Sequence, residues 1–281
     1  MIGIALSATA AIVWGAAGVA GGLGARIVGP QRFIAWALLL GMVLAIPLCI
    51  VTWPPGRLDL RVALWIALVT ACMLSGLVFT YMGMRRGSIS VVAPISALYG
   101  GVSALISIVL GEPVTLIVVV SLLLAVLGGV MAASSGTAEP GAKYQDNRAA
   151  AALAGLTAIV WGVQLWAGGQ IQDDLGPSWL VFLARGLALV VLLALLVPRG
   201  ELRVPRRVLP YALIAGCGEV AGFSLFLVAS GYGLAQAAVL TGQYGTVAAL
   251  IGLIVLKERL RGIQYAGLVL VVLAVIGLSL G

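Results

Sequence analysis

Ala11-Ile12-Val13-Trp14-Gly15 recurs unchanged as Ala158-Ile159-Val160-Trp161-Gly162, 147 residues further along the chain. Five identical residues that include a tryptophan point to a duplicated unit, and other landmarks keep nearly the same register. Gly76 and Gly87 map onto Gly222 and Gly233 at an offset of 146, Tyr99-Gly100 maps onto Tyr244-Gly245, and Glu112 maps onto Glu258. The units are apolar throughout. Of 281 residues, 62% are hydrophobic and 9% charged, whereas an ordinary soluble domain carries about 25% charged residues. A soluble globular enzyme is thereby excluded, and the chain reads as an all-α membrane protein.

Crossing a hydrocarbon core takes roughly 20 apolar residues in a helix, because only helices or closed barrels satisfy their backbone in lipid. Uncharged runs at 2–25, 33–56, 62–84, 87–111 and 113–138 each suffice for one crossing. A polar stretch follows, and the pattern resumes at 149–172, at 175–198 with only Arg185 inside, at 208–256 with only Glu219 inside, and at 262–281. The run 208–256 is too long for one helix, and Ser230-Gly231-Tyr232-Gly233 offers the turn that divides it. The count is ten transmembrane helices, as a first five-helix repeat over 1–135, a linker over 136–148 and a second five-helix repeat over 149–281. An odd number of crossings per repeat turns the second copy upside down relative to the first. Inverted repeats of this kind enclose a site near the midplane and exchange conformations to alternate access to it. The first run lacks a positive n-region and matches the sixth, so it is expected to be retained rather than cleaved as a signal peptide.

These residues resemble a known family. Gly87-Ser88-Ile89-Ser90-Val91-Val92-Ala93-Pro94, then Leu98-Tyr99, Leu110-Gly111-Glu112 and Leu127-Gly128-Gly129-Val130 are similar to the EamA-type half of the drug/metabolite transporter superfamily. The second half repeats the pattern with Leu256-Lys257-Glu258-Arg259-Leu260 and Gly262, Gly267 and Gly277, and both Trp-Gly pairs fit as well. The resemblance implies a basket-like carrier in which helices one, three, four, six, eight and nine line a central cavity. It also implies an Arg in the second helix after a Pro. Arg185, eight residues after Pro177, takes that place, but Arg32 follows Pro30 by two, so the first half is expected to be shortened there. Helix nine has no counterpart of Pro94, so the two cavity walls are expected to differ.

Net charge is +7, from 16 Lys+Arg and 9 Asp+Glu. The basic residues punctuate the apolar runs, which makes them orienting loop charges rather than a nucleic-acid surface. With ten crossings, one side holds Arg57 and Arg61, and the other holds thirteen Lys and Arg, from Arg26 and Arg32 to Arg261. The positive-inside rule then puts both termini outside, while the resemblance implies termini inside. There is no His, which removes imidazole catalysis, His metal ligands and His proton relays. Cys49, Cys72 and Cys217 lie within apolar runs and read as packing residues. No cofactor, metal motif, Walker motif or dinucleotide motif is present in the sequence.

Glu219 is the one acidic residue deep in a span. An ionised Asp at a helix centre costs about 2.5–3.5 kcal/mol even on the smaller scales, so intramembrane carboxylates usually face a cavity or a partner. Glu219 is therefore a candidate for proton coupling or cation recognition, with an ion pair to Arg185 and a protonated bystander as alternatives. On helix eight Glu219, Phe223, Phe226 and Ser230 share a face, which is expected to hold the carboxylate between two rings. Trp14 and Trp161 occupy one repeat position, and Trp161, Gln164, Gly168 and Gln172 form a stripe. Aromatic rings with polar neighbours suit amphiphilic organic substrates. Helix four adds Ser96, Tyr99 and Ser103, and helix nine adds Gln236, Gln243, Thr241 and Tyr244. Packing, interhelical hydrogen bonding and interfacial anchoring compete for these groups, and Trp53, Trp65 and Trp179 are expected in the aromatic belt. The expected substrate-binding set is Trp14, Tyr99, Trp161, Gln164, Phe223, Gln243 and Tyr244, with Glu219 and Arg185 for coupling or charge recognition.

The reading is a multi-pass secondary transporter of the cell inner membrane, a monomer or loose homodimer, with the lipid bilayer, a small-molecule substrate and protons as its partners. It is expected to export small organic metabolites such as amino acids by alternating access. A multidrug or cationic-compound carrier is the alternative, and a channel or permease subunit comes behind. An intramembrane aspartyl enzyme lacks its second carboxylate.

Overall fold

A computed structural model describes residues 1–52, 56–87, 89–111, 115–133 and 147–256, and eight positions between 262 and 274. Every regular element among the described residues is helical: α1 (Ile2–Val28), α2 (Pro30–Val51), α3 (Leu60–Arg86), α4 (Ile89–Ser96), α5 (Tyr99–Val109), α6 (Leu116–Ala133), α7 (Asn147–Leu175), α8 (Pro177–Leu196), a 3-10 turn at Arg206–Val208, α9 (Leu209–Ser230), α10 (Leu234–Gly242) and α11 (Tyr244–Leu256). Among the described residues, six helices are long and apolar enough to cross a membrane: α1, α2, α3, α7, α8 and α9 with its leading 3-10 turn. The linker up to 146, Trp53, Glu112 and most of the last span lie outside the described residues.

Local chemistry sets the helix ends. Gly29 and Gly176, 147 residues apart, both adopt positive φ (92° and 84°), and each is followed by a Pro that opens the next helix. Asp59 caps α3, its carboxylate accepting from the Val62 backbone N at 2.8 Å. The hydroxyls of Ser7, Thr70, Thr157 and Thr241 donate to the carbonyl four residues back, which satisfies them inside an apolar bundle. Ile12, Val43, Ile50, Leu64 and Val190 point outward, the composition of a lipid-facing surface.

The shared Gly-Pro corner revises one expectation. The register stays at 147 through this corner, so α2 is not shortened, and Leu38, which is fully buried, stands where α8 carries Arg185. A second revision concerns the fourth span of each half. Read as continuous helices, they are instead broken, at Ala97-Leu98 and at Gln243, so that Tyr99 and Tyr244 each open a second half-helix. Both breaks fall where the spans cross backbone to backbone: a Cβ on Gly242 would lie 3.0 Å from the Ala97 carbonyl oxygen and 3.3 Å from Gly100 Cα. The division of the long run at Ser230–Gly233 is as expected, with Gly233 at φ 144°.

The halves interleave. α1 lies along α9 and α3 along α7, so the first long helix of each repeat packs on the third of the other. Trp14 sits over Gly222, where a Cβ would come within 2.7 Å of the indole, and Trp161 sits over Gly76 in the same way. At one end Arg32 pairs with Glu201 at 3.6 Å and Trp36 Nε1 donates to the Leu202 carbonyl. At the other, Arg61 pairs with Asp174 at 3.3 Å and the Arg57 backbone N donates to the Asp174 carbonyl.

Candidate functional site

Between the halves lies a cavity of ≈ 30 Å³. α1 supplies Trp14 and Gly18; α3 supplies Met73, Thr80, Tyr81 and Met84; Tyr99 opens α5 and Tyr244 opens α11; α7 supplies Trp161, Gln164 and Leu165; α9 supplies Glu219. Five aromatic side chains line it, and four of them, Trp14, Tyr99, Trp161 and Tyr244, touch one another. Tyr99 and Tyr244 stack with centroids 5.5 Å apart, Trp14 meets Tyr99 edge-on at 6.1 Å, and Trp161 meets Tyr99 at 5.8 Å and Tyr244 at 6.3 Å. Such offset and edge contacts add to burial and fix ring orientation.

The polar atoms are few and unequally satisfied. The Tyr99 hydroxyl donates to the Thr241 carbonyl at 3.0 Å. The Trp14 indole N–H, which faces Glu219, and the Tyr244 hydroxyl, which faces Ser96, are buried without a completed hydrogen bond. Buried donors and acceptors left open cost free energy, and here they border a space that a polar ligand or water could fill. Glu219 receives Arg185 Nη2 at 3.3 Å, with the arginine side chain 2% exposed and the carboxylate 18%. Arg185 itself does not line this cavity. It stands behind Glu219 beside a smaller hollow of ≈ 10 Å³ that Glu219 and Tyr81 also border.

The EamA-like transporter family profile matches residues 1–134 and again 148–280. The chain belongs to the EamA-like transporter family. An uncharacterized transporter of Archaeoglobus fulgidus is 27% identical over 288 residues, covering 100% of this chain and 99% of that one. A solved structure described only as "Crystal structure of protein" superposes with a TM-score of 0.73 at 15% identity, covering 99% and 96% of the two chains, which is a likeness of fold. The protein is thus a multi-pass membrane transporter rather than an enzyme.

Within this EamA-like fold, Trp14, Tyr99, Trp161, Gln164, Glu219 and Tyr244 of the expected set meet at one cavity. Phe223 and Gln243 stand apart, as does Arg185 behind Glu219. Phe223 is fully buried behind Trp14, stacked on it at 6.5 Å and on Phe226 at 6.0 Å. The shared face of α9 therefore does not hold Glu219 between two rings: Phe223 and Phe226 pack against Trp14 and stiffen it. Gln243 sits at the break between α10 and α11, with its amide donating to the Val239 carbonyl at 3.3 Å. Gln172 accepts from Ser230 Oγ at 2.8 Å, so that end of the α7 stripe is occupied by a helix-to-helix bond. Trp65 packs edge-on against Trp166 at 5.4 Å and Trp179 against Phe182 at 5.8 Å.

Helix α3 lines the cavity as the resemblance implies, but its lining residues Met73, Thr80, Tyr81 and Met84 were not in the expected set, because they look like ordinary apolar-helix residues. The repeat contained the signal for one of them. Met73 lies 146 residues before Glu219, so projecting Glu219 onto the first half recovers it, whereas Thr80, Tyr81 and Met84 match no residue of the expected set in the second half.

Proposed function

We propose that this transporter is a secondary carrier that exports small, ammonium-bearing organic metabolites such as amino acids by alternating access, with Glu219 as the shared site for substrate cation and proton. The observation that carries this reading is the Glu219 carboxylate opening onto an aromatic-walled cavity between the halves while Arg185 holds it from behind. An ammonium entering the cavity meets one carboxylate and the faces of Trp14, Tyr99, Trp161 and Tyr244. Charge attraction and cation–π contact then act together. Protonation of Glu219 removes that attraction, so proton and substrate displace each other, and an inward proton gradient drives the substrate outward.

The architecture that goes with this function is ten crossings, as inverted five-helix repeats over 1–135 and 149–281 with a linker at 136–148, in the inner membrane and active as a monomer or loose homodimer. The exchanged packing of α1 on α9 and α3 on α7, the matched breaks at Tyr99 and Tyr244, and the double family match support the inversion. Rocking one bundle against the other would open the cavity to each side in turn.

The test is counterflow in proteoliposomes containing no ATPase, loaded in turn with amino acids, sugars, organic acids and quaternary amines. Amino acids or amines should exchange and sugars should not. Glu219→Gln should retain at most a tenth of proton-driven uphill movement; undiminished uphill transport by that variant would remove Glu219 from the coupling step. The box of rings also favours a second reading, efflux of cationic drugs. Quaternary amines that exchange while amino acids do not would select it.

A further inference from the structure

We infer that the smaller hollow behind Glu219 is a site for a small monovalent anion, held by Arg185. The inference goes beyond the transport reading and does not need it, except in the last arm of the test below. Arg185 is 2% exposed, and of its five N–H donors the described contacts use Nη2, on Glu219 at 3.3 Å. Its Nε is buried without a partner. A guanidinium offers a planar fork of donors and keeps its charge in every protein setting, so an unfilled donor deep in a bundle is a standing cost. The hollow beside it, ≈ 10 Å³ and so no larger than one small ion needs, is bordered by Arg185, Glu219 and Tyr81 and walled by apolar groups such as Leu38 and Leu77. Apolar walls around an unfilled guanidinium N–H suit a weakly hydrated anion, a halide or a carboxylate, better than water alone.

The placement of Glu219 on both hollows gives the site a role. When that carboxylate is neutralised, by a proton or by a bound ammonium, Arg185 loses its counter-charge. An unpaired buried charge of this kind is strongly destabilising. A small anion in the hollow beside Leu38 restores neutrality, so occupancy of the two hollows is coupled, as required of linked binding sites. The anion could be free chloride or the carboxylate of a zwitterionic substrate; the chemistry of the site is the same.

The experiment compares melting in sodium chloride and in sodium isethionate, a hydroxyl-bearing sulfonate that is neither halide nor carboxylate, at equal ionic strength, with purified protein in lipid nanodiscs. Glu219→Gln, which strips the counter-charge, should melt about 4–8 °C higher in chloride once the anion reaches a hundredfold its dissociation constant. Wild type should shift less, and the Arg185→Met, Glu219→Gln double variant should not shift. No chloride effect in Glu219→Gln, or an equal one in the double variant, overturns the site. Should Glu219→Gln fail to assemble, Glu219→Asp, whose shorter arm withdraws the carboxylate, is measured against the same two outcomes. Binding of a labelled quaternary amine to wild type then separates the sources and the readings. Chloride should tighten amine binding at least about threefold, whereas a zwitterionic amino acid should be indifferent to chloride if its own carboxylate fills the hollow. A chloride shift without amine binding leaves the anion site and removes the Glu219 substrate reading; amine binding without a chloride shift does the reverse.

Discussion

Glu219 and Arg185 have counterparts in the first half at the same register, and the counterparts are Met73 and Leu38. All four side chains lie at the interface of the halves, yet one pair is ionic at 3.3 Å and the other is apolar, each member 1% exposed. The framework around them is alike in both halves: Trp14 on Gly222 and Trp161 on Gly76, Val247 against Gly15 and Val102 against Gly162. Duplication therefore supplied the scaffold twice, while charge was placed, or kept, once. A symmetric cradle carrying a single carboxylate has one binding pole, which suits a ligand that is itself lopsided in charge.

The strongest way to break the asymmetry is to give the second half the residues of the first. Arg185→Leu alone should destabilise by about 3–5 kcal/mol, since it strands a mostly buried carboxylate. Adding Glu219→Met should return melting to near or above wild type while transport stays lost. A double variant less stable than the single one would show that the site is not merely an ion pair set in an otherwise equivalent scaffold.

The two Trp-on-Gly contacts come next. A methyl group at Gly222 or Gly76 presses on an indole, and overpacking of this kind costs typically about 1–3 kcal/mol. Gly222→Ala should be the worse of the two in unfolding experiments, because Trp14 is wedged between Phe223, Phe226 and Tyr99. Trp161 is half-buried and can yield into the cavity, so Gly76→Ala should instead weaken substrate affinity in binding titrations. Equal stability losses with unchanged affinity would mean that neither ring has room to move.

A third comparison concerns matched corners. Arg26 Nε donates to the Met84 carbonyl at 3.0 Å and its Nη2 to that of Gly87 at 3.4 Å. At the register-matched place in the second half, Ser230 bonds Gln172. Charge-assisted bonds are worth about twice neutral ones, so Arg26→Gln should lower stability by about 1.5–3 kcal/mol and Ser230→Ala by about 1 kcal/mol. Hydrogen exchange at the ends of α3 and α9 would rank them. The smallest effect belongs to the end-of-bundle ion pairs. Exposed pairs contribute at most about 1 kcal/mol, so Glu201→Gln should leave the melting temperature within about 2 °C.

Much of this was readable from the chain, because lipid imposes a length on every span and a repeat imposes a register. The runs bounded by charges located α1, α2, α3, α7, α8 and α9, and the Trp-Gly repeat located two of the five cavity rings. The helix breaks were not readable. Pro94 stands near one break and nothing like it near the other, yet both spans break at the same register, because the cause is a main-chain crossing between segments about 145 residues apart. The layer in which Phe223 ended up was hidden for a similar reason: helical periodicity says which residues share a face, and the neighbour across that face decides which of them reach the hollow. Glu219 was legible as costly. That it borders two hollows, with Arg185 on the far side only, depends on the depth at which α8 and α9 pass each other.

The crossing at Gly100 and Gly242 also bears on how the protein could be watched at work. Main chain rests on main chain there, with stacked Tyr99 and Tyr244 directly beside it. If one bundle tips against the other, that contact is the fulcrum, and displacement grows with distance from it. Spectroscopic labels placed beside the tyrosines would register almost nothing, while pairs spanning the Arg32–Glu201 corner and the Arg61–Asp174 corner would move in opposite senses, one separating as the other closes.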